Sequence, residues 1–151
     1  MQEGPGKEMW PDGSMYEGNF HLGQKNGSGK YLMKNRAFYD GNWASGKLEG
    51  QGKYEWPDGR YYEGTWKDNF MDGRGIYEWE DGRRYEGEYK NDKKHGKGKY
   101  KWADGKTYDG DWFEGKQHGT GILTIPGKPG KKGIWEHGKK IKWIDEESNN
   151  S

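Results

Sequence analysis

The sequence predicts an all-β chain, an elongated single-layer antiparallel sheet of tandem 23-residue β-hairpin repeats. Three observations predict it. A Tyr-acid-Gly triplet returns every 23 residues, paired glycines return in fixed phase with it, and the composition offers rings and glycine in place of an aliphatic core. Of 151 residues, 28 are Gly, 9 are Trp and 11 are Tyr, while only 28% are hydrophobic and 34% are charged. Such low hydrophobicity alone reads as disorder, but disordered chains are also poor in aromatics. Rings this numerous must pack on something small, and glycine is the surface available.

The period sets the organisation. Tyr16-Glu17-Gly18, Tyr39-Asp40-Gly41, Tyr62-Glu63-Gly64, Tyr85-Glu86-Gly87 and Tyr108-Asp109-Gly110 recur at 23-residue spacing, each followed two residues later by Phe20, Trp43, Trp66, Tyr89 or Trp112. A second block, Gly-x-Gly-x-Tyr, starts at Gly27, Gly50, Gly73 and Gly96 and ends the series as Gly119-Thr120-Gly121-Ile122-Leu123. Trp56, Trp79 and Trp102 follow it, each shortly before an Asp-Gly pair. The units are therefore 16–38, 39–61, 62–84, 85–107 and 108–130. They are flanked by a half-unit at 4–15 and a degenerate half-unit at 131–144, so that the array fills 1–144. Residues 145–151 read as a disordered acidic and polar tail.

Each unit reads as two strands. Alternation puts Tyr62, Gly64 and Trp66 on one face, and Gly73, Gly75, Tyr77 and Trp79 on one face of the next strand, leaving Glu63, Thr65, Arg74 and Glu78 on the other. Asp58-Gly59 and its equivalents suit a tight turn of positive φ, whereas Lys67 to Asp72 reads as a longer polar loop. Two strands per unit at about 4.8 Å make each unit roughly 10 Å, so five units span about 50 Å. Rings lying over the glycine columns would replace a second layer. Any side chain at Gly64 or Gly75 should then clash with a ring.

Tyr-(Glu/Asp)-Gly-x-aromatic followed by a polar loop and Gly-x-Gly-x-Tyr resembles the MORN (membrane occupation and recognition nexus) repeat, including its His-Gly-x-Gly form at His95 and His118. The resemblance runs from Gly4 to Trp135. It departs at Phe20 and Tyr89 for Trp, at Lys131 for Tyr, and at an insertion-like stretch from Pro126 to Gly130. It implies a twisted hairpin sheet whose aromatic- and acid-lined groove holds a peptide or helix of a partner protein. It also implies scaffolding work in a cytoskeletal or ciliary (axonemal) assembly, and a link to acidic phospholipids.

Residues that could carry chemistry have simpler readings. Gly41 to Lys47, Gly110 to Lys116 and Gly133 to Lys139 match Gly-x4-Gly-Lys. Each lacks the following Ser or Thr that would hold Mg²⁺, and each falls at the same repeat position, so these are loops of the unit. His95 and His118 have no second His or carboxylate at ligand spacing and read as turn-shaping residues. The acidic column Glu17, Asp40, Glu63, Glu86 and Asp109 reads first as cross-strand partners of Lys30, Lys53, Arg74 and Lys99, and second as a contact for a basic peptide. No nucleophile–base set is recognisable, so the expectation is a non-catalytic protein needing neither cofactor nor metal.

The net charge of +1 argues against a nucleic-acid partner. The absence of Cys removes disulfides and thiolate metal sites. No apolar segment approaches the length of a membrane span, and Met1 opens on polar sequence, so a cytoplasmic protein is expected, at the cytoskeleton or axoneme or bound to a membrane surface. A one-layer sheet cannot hide both faces. The candidate partner site is accordingly Tyr39, Trp43, Tyr62, Glu63, Trp66, Tyr85, Glu86, Tyr89, Tyr108 and Trp112. From Lys90 to Lys142 there are 14 Lys against 6 acids, an excess of 8. Lys131, Lys132, Lys139 and Lys140 are the candidates for binding anionic phospholipid as a peripheral membrane adaptor. A regulatory module of a larger enzyme and a carbohydrate-binding repeat are the other classes weighed. Unpaired edge strands would allow a homodimer.

Overall fold

A computed structural model describes residues 1–144; the expected disordered tail, 145–151, lies outside the described residues. Thirteen strands form one antiparallel sheet in which every strand pairs with its sequence neighbours. They are β1 (Gly4–Met9), β2 (Met15–His21), β3 (Gln24–Leu32), β4 (Phe38–Ala44), β5 (Lys47–Glu55), β6 (Tyr61–Lys67), β7 (Phe70–Glu78), β8 (Arg84–Lys90), β9 (Lys93–Lys101), β10 (Thr107–Phe113), β11 (Lys116–Thr124), β12 (Lys131–Glu136) and β13 (Lys139–Trp143). No helix long and apolar enough to cross a membrane occurs among the described residues.

The register aligns like with like. Gly6, Gly18, Gly29, Gly41, Gly52, Gly64, Gly75, Gly87, Gly98, Gly110, Gly121 and Gly133 face one another strand after strand, an unbroken glycine ladder across β1 to β12. One step along, Tyr16, Tyr31, Tyr39, Tyr54, Tyr62, Tyr77, Tyr85, Tyr100 and Tyr108 form a tyrosine ladder. The first tyrosine of each unit lies down over the glycines. A Cβ added at Gly75 would sit within 2.5 Å of the Tyr62 phenol, and one at Gly64 would meet the Gly75 Cα at 2.5 Å and the Arg74 carbonyl at 2.6 Å. The clash expected at Gly75 is therefore with a ring, while that at Gly64 is first with the neighbouring backbone.

This arrangement lets one layer bury a core. Tyr16, Tyr39, Tyr62, Tyr85 and Tyr108 are all 0% exposed. Each hydroxyl donates to the carbonyl three residues on, at 2.8 Å for Tyr16 and Tyr85 and 3.0 Å for Tyr62. The aromatic two residues after the Gly stands edge-on between its own unit's tyrosine and that of the unit before: Trp66 is 5.1 Å from Tyr62 and 5.8 Å from Tyr39. The chain of perpendicular rings runs from Phe20 to Trp135, in the edge-to-face geometry that the ring quadrupole favours. Indole N–H groups of Trp43, Trp66 and Trp112 donate to the carbonyls of Gly29, Gly52 and Gly98 at 3.0–3.1 Å. Phe20 and Tyr89, without an indole, keep the ring contacts only.

Two sequence expectations are corrected here. The tight connection is the one inside the unit. Lys67 to Asp72 is no long loop: β6 continues to Lys67, β7 starts at Phe70, and Asp68 and Asn69 alone turn the chain, at φ of 48° and 72°. Equivalent pairs at 22–23, 45–46, 91–92, 114–115 and 137–138 also have both φ values positive, the two-residue hairpin turn whose twist matches the strands. Asn and Asp tolerate this left-handed region, so the turn needs no Gly-Gly signature. Asp58-Gly59 belongs instead to the longer connection between units, where Trp56 N–H bonds the Arg60 carbonyl, Gly59 N–H bonds the Trp56 carbonyl, and only Gly59 is left-handed. A register shift between Gly64 and Trp66, repeated in every unit, absorbs the extra residues of the second strand. Those extra polar residues hide the strand's period.

The second correction concerns the ends. The degenerate half-unit at 131–144 carries two short strands, β12 paired with β13. The stretch from Pro126 to Gly130 inserts nothing: Gly133 still pairs with Gly121, and the Lys128 N–H closes the turn on the Ile125 carbonyl as Gly105 does on Trp102.

Candidate functional site

The two faces of the sheet differ in chemistry. The rings expected to meet a partner turn out to be the core: Tyr39, Tyr62, Tyr85 and Tyr108 are fully buried, and Trp43, Trp66, Tyr89 and Trp112 are at most 7% exposed. Rings of the adjoining units cover them, so they are the floor of the aromatic face and offer little area of their own. Glu63 and Glu86, exposed, stand on the opposite face from these rings, as adjacent residues of one strand must. The ten residues therefore do not form one site, and no groove is lined by both the rings and the acidic column.

The surface that remains open on the aromatic face is a second row of rings, none of which the sequence had put among the candidates. Trp10, Tyr31, Tyr54, Trp56, Trp79, Tyr100 and Trp102 are half-buried and rest on the core. They form linked pairs: Tyr54 with Trp56 at 4.4 Å, Trp56 with Tyr77 at 5.4 Å, Tyr77 with Trp79 at 4.3 Å, and Tyr100 with Trp102 at 4.8 Å. The position of Trp56, Trp79 and Trp102 just before the between-unit connection was the signal available. Cations cover their outer faces, with Arg60 4.9 Å from the Trp56 ring, Arg83 4.9 Å from Trp79, and Lys106 4.6 Å from Trp102. Arg60 and Arg83 are held there by their own Asp58 and Asp81, at 2.8 and 2.9 Å. The row stops where Ile125 replaces Trp, leaving that side chain 47% exposed.

One position of the second strand also faces these rings: Lys25, Leu48, Met71, Lys94, Gln117 and Lys140. Leu48 is buried and Met71 half-buried against the core. The Lys25 ammonium lies 4.5 Å from the Tyr31 ring, 5.1 Å from Trp10 and 5.5 Å from both Tyr16 and Trp43. That of Lys94 lies 5.4–5.6 Å from Tyr85, Tyr100 and Trp112. Burial pushes both ammonium groups below the usual lysine range, and Glu8 offsets part of the effect at Lys25. A cavity of about 270 Å³ opens beside Lys94, between Tyr100, Trp102, Trp112 and Lys116.

On the opposite face the acidic column meets Lys30, Lys53 and Lys99 in register, as the sequence predicts. Ile76, not Arg74, fills the remaining place, and Arg74 pairs in register with Glu88. Register does not make ion pairs of them: none of these acid–lysine neighbours forms one among the described residues, and the pairs that do form include Lys53 with Glu55 at 3.3 Å, Arg84 with Glu86 at 3.2 Å, and Lys97 with Asp111. A hollow of about 720 Å³ on this face mixes Lys67, Arg74 and Lys90 with Asp72 and Glu88. The His118 ring accepts the His137 N–H at 3.4 Å, a long contact at the place where Asn26, Glu49 and Asp72 bond the next unit's turn; His95 and His118, expected as turn residues, lie inside β9 and β11.

The four C-terminal lysines are exposed but divided. Lys131 and Lys140 lie over the Trp143 ring at 5.7 and 4.3 Å on the aromatic face, while Lys132 and Lys139 project to the other. The Gly-x4-Gly-Lys segments are strand, turn and strand, so their glycines cradle no common point. Among the described residues no cluster of three or more His, Cys, Asp or Glu is placed to hold a metal ion.

Fold and site together define a repeat protein in which each hairpin is completed by its neighbours and the side chains present two long, chemically distinct faces. The MORN repeat model matches six times, at residues 1–15, 16–36, 39–59, 62–83, 85–107 and 108–127, well over half of the chain. The chain belongs to the MORN repeat family. No curated protein sequence matches it. Among solved structures it is similar to the SAS-4 (dCPAP) TCP domain of Drosophila melanogaster in complex with a proline-rich motif of Ana2 (dSTIL), at 14% identity and a TM-score of 0.47, over 88% of this chain and 79% of that one.

Proposed function

We propose that the protein is a non-catalytic scaffold that holds a peptide or helix of a partner protein along its aromatic face. The carrying observation is the row of half-exposed rings from Trp10 to Trp102, laid on a buried ring core and running across successive units. Aromatic side chains of this kind dominate interface energetics when a partner completes their burial. The buried rings first expected to make the contact act beneath it, by fixing where the outer rings stand. A cytoskeletal or axonemal setting is the finer part of this proposal and rests on the family alone.

The lipid-adaptor reading draws less support, because Lys131, Lys132, Lys139 and Lys140 divide between two faces and cannot meet one flat anionic surface together. The test is capture from native lysate by the tagged chain, compared with a Trp56→Ala/Trp79→Ala variant whose circular dichroism matches the parent. Loss of a stoichiometric protein from the variant supports the proposal. Retention of that protein by the variant, or recovery only on anionic vesicles, overturns it.

A further inference from the structure

The aromatic face has a charge pattern that says what its occupant must carry. Strand-borne charges on this face are Lys25, Lys94, Lys131 and Lys140 against Glu8 alone, because the acidic column points the other way. Of the acids in the neighbouring connections, Asp58 and Asp81 pair with Arg60 and Arg83 and Asp104 accepts the Lys106 N–H at 2.9 Å, while Glu80, beside Trp79, forms no ion pair with a described residue. Neither Lys25 nor Lys94 forms an ion pair with any described residue, although both are half-buried among rings. At the intervening places of the same row stand Leu48 and Met71, which are apolar.

We propose that the segment held on this face is acidic at both ends and apolar in its middle, with carboxylates pairing to Lys25 and Lys94 and apolar side chains packing on Leu48 and Met71. This rests on the reading of the aromatic face as the partner site and gives that partner its chemistry. Lys25 lies on β3 and Lys94 on β9, six strand spacings apart, or about 29 Å at roughly 4.8 Å each. A helical segment spans that distance in about 19 residues, and an extended one in about 9. Rings surrounding each ammonium lower the cost of its desolvation by cation–π attraction but leave its hydrogen-bonding capacity unused. A carboxylate arriving in the groove supplies the missing acceptor, and the pair is stronger for the low-dielectric surroundings. Burial among the rings is what depresses both lysines, and a carboxylate paired to them should raise them again.

The experiment is selection from a displayed library of random 20-residue peptides on the intact chain, then affinity measurement on the Lys25→Met and Lys94→Met variants. Met71 already occupies the equivalent place, so methionine is accommodated there, and near-ultraviolet circular dichroism checks that the rings keep their packing. Acidic-ended peptides should be enriched, each lysine variant should weaken them roughly tenfold, and Glu63→Gln/Glu86→Gln on the far face should leave them unchanged. Enrichment of basic peptides, or acidic peptides that bind both lysine variants undiminished, overturns the inference while leaving the scaffold reading intact. No enrichment by any form of the chain overturns both.

Discussion

Replacing Gly75 with Ala tests the central packing argument most directly. The added methyl would lie within 2.5 Å of the Tyr62 phenol, a ring that is 0% exposed. Either the strands part or Tyr62 leaves. If it leaves, its bond to the Thr65 carbonyl goes, worth about 1 kcal/mol net. Its edge-on contacts with Trp66 and Tyr89, at 5.1 and 5.2 Å, go too, at roughly 0.5–1.5 kcal/mol each. The stabilisation that Gly→Ala brings by restricting the unfolded chain returns about 0.4–1 kcal/mol. The net loss is on the order of 1–4 kcal/mol before any strand separation. At about 2–4 °C per kcal/mol for a chain of this length, melting should fall by roughly 2–16 °C.

Thermal unfolding followed in the near and far ultraviolet measures this loss. Because each repeat leans on its neighbours, the defect should also split the transition, with the units on either side of Gly75 melting separately. A double-mutant cycle with Tyr62→Ala isolates the cause: once the ring is gone the methyl has room, so the two changes should cost clearly less together than their sum. Wild-type melting for Gly75→Ala, or strict additivity in the cycle, would refute the claim that ring and glycine are fitted to each other.

Two further predictions follow from burial and from the edges. Burial drives the phenols of Tyr39, Tyr62, Tyr85 and Tyr89 well above the usual range and that of Tyr108 up to about 12. A phenol raised in the folded state contributes stability that is complete below its unfolded value of about 10 and lost as pH rises through the folded value. Stability should therefore decline from about pH 10 upward, with these phenolates appearing together with unfolding; normal phenolate titration without loss of structure would contradict it. The last strand of the described sheet, β13, carries Lys139, Lys140 and Lys142, all exposed, and such charges discourage edge-to-edge pairing. Changing the three to Thr should promote self-association in sedimentation velocity, and a strictly unchanged monomer would show that another feature guards the edge.

The period-2 alternation and the 23-residue phase were legible in the sequence because both are local. Tyr62 and Gly64 share a face whatever surrounds them, and a fixed phase aligns Gly64 with Gly75 once neighbouring strands pair. Composition told the rest of the core's story: with few aliphatic side chains and 28 glycines, rings had to lie on bare backbone. The turns were harder, because Asp68-Asn69 carries no glycine and the bulged strand after it breaks alternation with polar residues. Asp58-Gly59 gave a stronger local signal for a looser connection.

Exposure belonged to the tertiary structure alone. Trp43 and Trp56 look alike along the chain, yet Trp43 is 6% exposed because rings of its own and the preceding unit close over it, whereas Trp56 stays half-buried, packed beside Tyr54 and Tyr77 with Arg60 over its ring. In the same way, nothing local marks Lys25 and Lys94 as ammonium groups set among rings. The sequence by itself determined the repeat, the ladder and the ring-on-glycine core, since these follow from spacing within one hairpin. Which rings stay open to a partner, and which charges stand beside them, was decided only by assembly, because burial is a property of neighbouring strands and not of the strand that bears the residue.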